Sequence, residues 1–406
     1  LVAQNKGGWF GIAVLVGALG YFVDIYDLIL FSVVRVPSLK SIGVSDADLL
    51  DVGLKVLNWQ MIGMLLGGIL WGVLADKKGR ISVLFGSILL YSLANIANAF
   101  VHDPQTYAWL RLVAGFGLAG ELGAAITLVS ETLPKEKRGI GTTIVATVGV
   151  SGAVAANLVA RHFDWRNAYL VGGGLGLLLL VMRISIFESG IFEKAKSENA
   201  RRGDLILLFS SFERVKRYLS CILIGLPTWF VIGVLITLSP EICKSRGLLG
   251  VSGGDAIMYA YIGLVLGDFS SGLFSQILRS RRRVVLVFLA LVFVTTAVNV
   301  TFASTAQNFY WLCLASGFAV GYWAMFVTIA AEQFGTNLRA TVAITVPNWA
   351  RGALVPISLG FRALVNSGHS LVQATLIVGA LCVGVAFAAA WGLKETFGRD
   401  LDYMES

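Results

Sequence analysis

Two aspartates, Asp24 and Asp27, stand three residues apart in GYFVDIYDLILF, a run otherwise apolar enough to lie in lipid. A carboxylate at that depth costs about 3 kcal/mol or more, so such residues mark proton or ion pathways. Spacing of three puts both on roughly one helix face. Burial and a like charge each favour the protonated form of a carboxyl group. The chemistry indicated is proton carriage. Arg111, in RLVAGFG, can hold one member of the pair charged while the other takes the proton. The alternatives are a fixed structural pair, or an aspartate near a span end that reaches water. Glu121, further along the same run, is a second proton site or the partner of an arginine, on another part of the helix surface. Asp268, in GLVLGDFSSG, is one more carboxylate in an apolar run. His102, His162 and His369 all fall in loops or at span ends, which leaves the carboxylates as proton carriers.

A second group centres on Arg351, in VPNWARGALVP. Pro347 and Pro356 flank it, so backbone groups there are free to line a cavity. The planar guanidinium fork suits carboxylate geometry, which points to an anionic substrate. The alternative is a permanent salt bridge with Asp268 or another acid. Asn348, Tyr322, Trp323, Trp229 and Tyr26 can add apolar walls and hydrogen bonds; the plainer reading of aromatics in spans is packing or lipid contact. No phosphate loop, His-Glu-x-x-His or Gly-x-Ser-x-Gly is present, so no enzyme is expected. Cys221, Cys243, Cys313 and Cys382 lack Cys-x-x-Cys spacing, and neither metal nor cofactor is expected.

The elements that position these residues follow from composition. The 406 residues are 56% hydrophobic and 14% charged, against roughly 25% charged in soluble proteins. Apolar runs of about 20 residues recur throughout, each able to cross a bilayer as a helix. Ten-residue alternation is absent, which excludes a transmembrane β-barrel. Twelve spans are read, at 9–34, 50–75, 81–101, 105–131, 139–161, 165–187, 217–240, 254–278, 284–303, 307–332, 340–365 and 370–393. The chain divides into a six-helix bundle (1–187), a polar linker (188–216) and a second six-helix bundle with a short tail (217–406). Within the linker, LILLFSSF is either an interfacial helix or plain solvated chain.

The net charge of +8 reflects basic residues in loops rather than nucleic-acid binding. One set of loops outnumbers the other in Lys and Arg by roughly three to one, which places both termini and the linker in the cytoplasm. On that topology Asp27 lies about 10 Å, Asp24 about 15 Å and Arg111 about 9 Å below the outer face, and Arg351 about 18 Å from the inner one. The halves repeat: SETLPKEKRG and AEQFGTNLRA each place a glutamate seven residues before an arginine, Glu131 to Arg138 and Glu332 to Arg339. The same register pairs Ala114 with Ala315, Gly120 with Gly321 and Thr127 with Thr328. Such symmetry suggests two bundles related by a two-fold axis, with a substrate site between them near the midplane.

The loop after the second span, GVLADKKGR, together with this layout resembles the signature of the major facilitator superfamily, and RLVAGFG is similar to its Arg-x-x-x-Gly-x-Gly element. The resemblance covers the whole chain. It implies an all-α fold of twelve transmembrane helices in two bundles, and a cytoplasmic latch. Gly72 and Gly79 allow close contact and a tight turn, and Asp76 binds the start of the eleventh span near Arg339. Arg80 and Arg138 pair with Glu131, and Glu332 with Arg339 marks the second copy. The plainer reading makes Lys77, Lys78 and Arg80 positive-inside anchors. In the second half GLFSQILRSRRR keeps Gly272 but has Gln276 in place of the aspartate, so the latch is expected to be asymmetric. AGELGAA, ETLPKEKRG and DWRNAYLVGG resemble the metabolite:proton and aromatic-acid:proton symporter branches. That implies proton-coupled symport of a small organic anion by alternating access. Rivals are a proton-driven exporter of amphipathic compounds, and a non-transporting sensor, against which the short tail speaks. The expected setting is a monomer in the bacterial inner (plasma) membrane, with a small-molecule substrate, protons and lipid as partners and no nucleic acid.

Overall fold

The computed structural model describes residues 6–78, 80–120, 144–188, 208–398 and 404–405; the side chains of 6–13, 72–73, 75–78, 80–84, 185–188, 336 and 340 are not described. Among the described residues all regular structure is helical. Helix α1 is Lys6–Ser41, α2 Leu49–Lys78 and α3 Arg80–Asn98, while α4 is described over Pro104–Leu118. Helix α5 is described over Ile144–His162, and α6 is Trp165–Glu188. The second half holds α7 (Phe212–Ile236) and α10 (Ala306–Glu332), with α8 (Gly253–Ile277), α9 (Arg281–Phe302) and α12 (Leu371–Gly392). Helix α11 comes in two pieces, Thr336–Gly352 and Leu354–Asn366. Nine of these are long and apolar enough to cross a membrane. The others are α3 and α4, whose described side chains cover short stretches, and α11, which is interrupted and polar.

Helix α1 outruns the expected end near residue 34 by about two turns, passing through Pro37. Arg35 does not stop it because its charge is satisfied inside the protein rather than by water.

Three helices of the second half break. In α7, Gly225 and Pro227 are followed by a π-helical turn over Val231–Ile236. In α10 the chain leaves helical geometry at Gly321 and Tyr322 and resumes at Trp323. In α11 the break falls at Ala353, where Pro356 has no N–H to offer the carbonyl four residues back. Discontinuous helices survive in membranes where neighbours or a cavity satisfy the freed backbone.

Each half contains one very close helix pair. In the first, a Cβ on Gly63 or Gly67 would strike the Leu112 or Phe116 carbonyl, and one on Gly115 the Gln60 carbonyl. In the second, Gly263, Gly267 and Gly317 stand in the same relation to Leu314, Phe318 and Ala260. The repeat read from sequence therefore has a structural counterpart in α2–α4 and α8–α10. Its register is not uniform: Gly63 matches Gly263 but Gly115 matches Gly317, so the pairing of Ala114 with Ala315 is one residue out. The connection between the paired helices is longer in the second half, and the sequence comparison averaged over it. Aromatic pairs follow the same symmetry, Trp59 on Trp109 and Tyr259 on Trp311, at the face opposite the chain ends. Aromatic girdles of this kind sit at membrane interfaces.

The halves meet mainly along α2–α11 and α5–α8. Polar contacts join them at the face opposite the chain ends. Arg35 binds Glu241 at 2.6 Å and the Thr237 carbonyl at 3.1 Å. Arg161 binds Asp255 at 2.5 Å, Arg362 pairs with Asp51, and Ser358 donates to Asn58 at 2.7 Å. At the other face the tail folds back on the second bundle. Glu395 accepts the first N–H groups of α9, from Arg281 at 2.9 Å and Arg282 at 3.3 Å. Glu405 pairs with Arg217 at 3.1 Å beside the start of α11.

Candidate functional site

The three helix breaks meet at one place. Trp229 follows the break in α7, Trp323 follows that in α10, and Arg351 precedes that in α11. The Arg351 guanidinium lies 5.9 Å from the Trp229 ring and 6.0 Å from the Trp323 ring, within cation–π range. The two indoles pack edge to face at 6.0 Å. Arg351 is fully buried, and its Nε and Nη1 have no hydrogen-bond partner. Most buried polar groups in folded proteins are satisfied, so two guanidinium N–H groups without a partner beside two indoles stand out, and a guanidinium fork has the geometry to bind a planar acceptor such as a carboxylate.

Across the bundle interface, α1 brings Asp24 to Arg351, Nη2 to Oδ2 at 3.9 Å. Tyr21 and Tyr261 are buried in the same cluster and feel the charges of Arg351 and Asp24. The acid beside Arg351 is thus Asp24 and not Asp268, which lies on α8 and accepts the Ala324 N–H at 2.9 Å. Asp268 caps the second piece of α10, a role the aligned N–H groups of a helix start favour.

The first bundle holds its own buried polar network. Arg111 spends its donors on Asn95 at 2.9 Å, Gln60 at 3.3 Å and the main-chain carbonyl of Asp27 at 3.0 Å. It lies 5.6 Å from the Tyr169 ring, whose hydroxyl meets that of Tyr107 at 2.7 Å. Sequence reasoning set Arg111 against an aspartate carboxylate. The structure sets it against the Asp27 backbone, because Gln60 and Asn95 occupy the rest of its fork. The Asp27 side chain is buried against Gly172 of α6, where any Cβ would collide with it. Asp24 and Asp27 therefore face different arginines, in different bundles.

Other expected site residues make hydrogen bonds or ion pairs here. Tyr26 donates to the Ala168 carbonyl at 3.0 Å, tying α1 to α6. Tyr322 donates to the Ile224 carbonyl at 2.8 Å and satisfies the backbone at the α7 break. Asn348 crosses the interface to the Ala119 carbonyl at 3.1 Å, leaving its Oδ1 buried without a partner. Glu332 is paired within its own bundle to Arg281 at 2.7 Å, with Arg339 near enough to act on it electrostatically. Glu121, Gly79, Glu131 and Arg138 lie outside the described residues, as do the side chains at Gly72, Asp76 and Arg80 and residues Leu205, Ile206 and Leu207 of LILLFSSF.

The family model of the Major Facilitator Superfamily matches residues 17–346. This chain belongs to that superfamily. Within the superfamily, the niacin transporter NiaP of Acinetobacter baylyi is 24% identical over 95% of this chain and 94% of its own length. The 3-(3-hydroxy-phenyl)propionate transporter of Escherichia coli is 28% identical over 82% of this chain and 80% of its own, and the gentisate transporter of Corynebacterium glutamicum 24% over 92% and 86%. Among solved structures, the inward-open xylose transporter XylE from E. coli shares the fold, with a TM-score of 0.71 at 16% identity, covering 97% of this chain and 98% of that one. The protein is a multi-pass membrane transporter of the superfamily's all-α, two-bundle fold.

Sequence reasoning missed Arg35, Gln60 and Asn95. Arg35 was counted as a loop charge although it is fully buried and joins the two halves. A signal existed in VVRVPS, where no acidic or polar neighbour explains an arginine inside an apolar run. Gln60 and Asn95 gave none, since neutral amides at span depth are common between helices.

Proposed function

We propose that this transporter carries a small organic carboxylate together with protons, by alternating access to a site between its bundles. The observation that carries the reading is Arg351: buried, clamped by Trp229 and Trp323, with two guanidinium N–H groups open. An exporter of amphipathic cations has no use for that group. Names among the relatives, which include transporters of niacin, gentisate and 3-(3-hydroxy-phenyl)propionate, support an aromatic acid as cargo.

Asp24 and Asp27 are the proton-coupling carboxylates. Asp24 competes with the substrate for Arg351: when the substrate carboxylate takes the guanidinium, Asp24 loses its counter-charge and binds a proton. Asp27, held beside Arg111 by Asn95 and Gln60, and Glu121 complete the proton machinery. The positive-inside bias supports a cytoplasmic location for both chain ends and the linker. The ion pairs Arg35–Glu241, Arg161–Asp255 and Arg362–Asp51 then close the outer face. The latch formed by Gly72, Asp76, Gly79, Arg80, Glu131 and Arg138, with Glu332 and Arg339 in the second half, works at the opposite side. The protein acts as a monomer in the bacterial inner membrane.

The test is flux in proteoliposomes under an imposed pH gradient. Labelled benzoates should accumulate on the alkaline side and stop accumulating with a protonophore. Gradient-driven movement of amphipathic cations in the opposite direction, with no carboxylate flux, would refute the reading.

A further inference from the structure

The buried atoms around Arg351 carry more than a carboxylate receptor. Asp268 uses Oδ1 on the Ala324 N–H, and its Oδ2 is buried with no hydrogen-bond partner. Trp323 links the two groups: its ring faces Arg351, and the residue after it is bound by Asp268. The Tyr21 phenol feels the charges of both Arg351 and Asp268, so both act on one neighbourhood. Trp323 thus adjoins both a carboxylate oxygen and guanidinium N–H groups that have no hydrogen-bond partner.

We infer that Asp268 is a specificity-determining residue, accepting a hydrogen bond from a donor group on the substrate. The inference rests on the carboxylate reading above and sharpens its substrate class. The cargo is a compact, flat acid whose ring also carries a hydroxyl. Arg351 takes the carboxylate, Trp229 and Trp323 flank the ring, and Asp268 Oδ2 takes the donor. A ligand without that donor leaves Oδ2 buried and unsatisfied, and such a mismatch discriminates far more strongly than a missing methylene.

Calorimetric titration of the purified full-length chain in detergent tests this, with benzoate, 3- and 4-hydroxybenzoate, and the matching methoxybenzoates as probes. Wild type should bind one hydroxybenzoate at least about tenfold more tightly than benzoate, and the methoxy ether should lose the advantage. Asp268→Asn keeps an oxygen for the Ala324 N–H but turns the free acceptor into an amide donor. The ratio of hydroxybenzoate to benzoate should then fall to near unity, with the methoxy compound now preferred over the hydroxyl. Equal binding of benzoate and both hydroxybenzoates by wild type overturns the inference even if the variant fails to fold. So does a hydroxyl advantage that survives in Asp268→Asn. Both outcomes leave carboxylate binding at Arg351 standing. If no benzoate binds at all, the carboxylate reading falls and this inference with it.

Discussion

Asp24 of the first bundle and Arg351 of the second form a buried ion pair across the interface, 3.9 Å between nearest atoms. That separation is too long for a hydrogen bond. Charge attracts the two residues, yet the guanidinium keeps donors free for another acceptor. Under the proposed function, a bound carboxylate and Asp24 compete. Asp24→Asn is expected to bind benzoates at least as tightly as wild type and to lose the part of the pH dependence of binding that comes from Asp24. Arg351→Lys should weaken binding at least about tenfold, because an ammonium cannot present a planar fork or stack between indoles. Calorimetry on both variants checks the pair.

At the face opposite the chain ends, Glu241 is the carboxylate partner of the buried Arg35. Glu241→Gln leaves a buried cation with only carbonyl acceptors, at a cost of about 3 kcal/mol to the closed arrangement. The bundles should part at that face. Spin labels at the exposed positions Asp48 and Leu249 would report a longer distance distribution in the variant. An unchanged distribution would mean that Arg161–Asp255 and Arg362–Asp51 suffice to hold the face shut.

The matched glycines offer a symmetric experiment. Gly63 and Gly263 each leave no room for a Cβ against a facing main-chain carbonyl. Gly63→Ala and Gly263→Ala should each destabilise the protein by about 1–3 kcal/mol, the usual cost of overpacking. Thermal unfolding in detergent should show similar losses for both. A loss in one half alone would deny that the two close pairs are equivalent.

The tail contact has a pH signature. Burial alone would raise the Glu395 carboxyl, but hydrogen bonds from Ser280 and from the N–H groups of Phe397, Arg281 and Thr396 outweigh it and hold the carboxyl below its ordinary 4.5. A carboxyl lowered by folding contributes stability above its unfolded pKa and loses it as pH falls through the folded value. Glu395→Gln should therefore cost about 1 kcal/mol near neutrality, in the range of a lost helix cap. The difference from wild type should shrink as pH falls below 4.5. Melting curves of the two proteins at neutral and acid pH decide it.

The fold was legible because its signals are one-dimensional. Apolar run length, loop charge and the repeated Glu-to-Arg spacing need no knowledge of neighbours, and helices α6 to α12 begin within about five residues of the expected positions. The burial of Arg351 was legible for the same reason, since an arginine between two prolines inside an apolar run must be placed within the protein. Its partner was not. Asp24 and Asp268 look alike in sequence, and only the approach of α1 to α11 separates the acid that meets Arg351 from the one that caps α10. Arg111 was legible as a charge near an aspartate, and it does act on the Asp27 carboxyl electrostatically; that its hydrogen bonds go instead to Gln60, Asn95 and a backbone carbonyl was not legible. Tyr26 and Tyr322 drew notice as aromatics near the site, yet each hydroxyl is spent on a backbone carbonyl exposed by neighbouring helices.

The exchange of partners at Arg351 can be measured without a membrane. In weakly buffered detergent solution near pH 7, saturating wild-type protein with a hydroxybenzoate should draw about one proton from solution per ligand bound, as linkage requires when Asp24 loses its cation. Asp24→Asn should bind the same ligand with no proton uptake. Binding by wild type with no proton taken up, or equal uptake by the Asp24→Asn protein, would contradict the claim that substrate and Asp24 share Arg351.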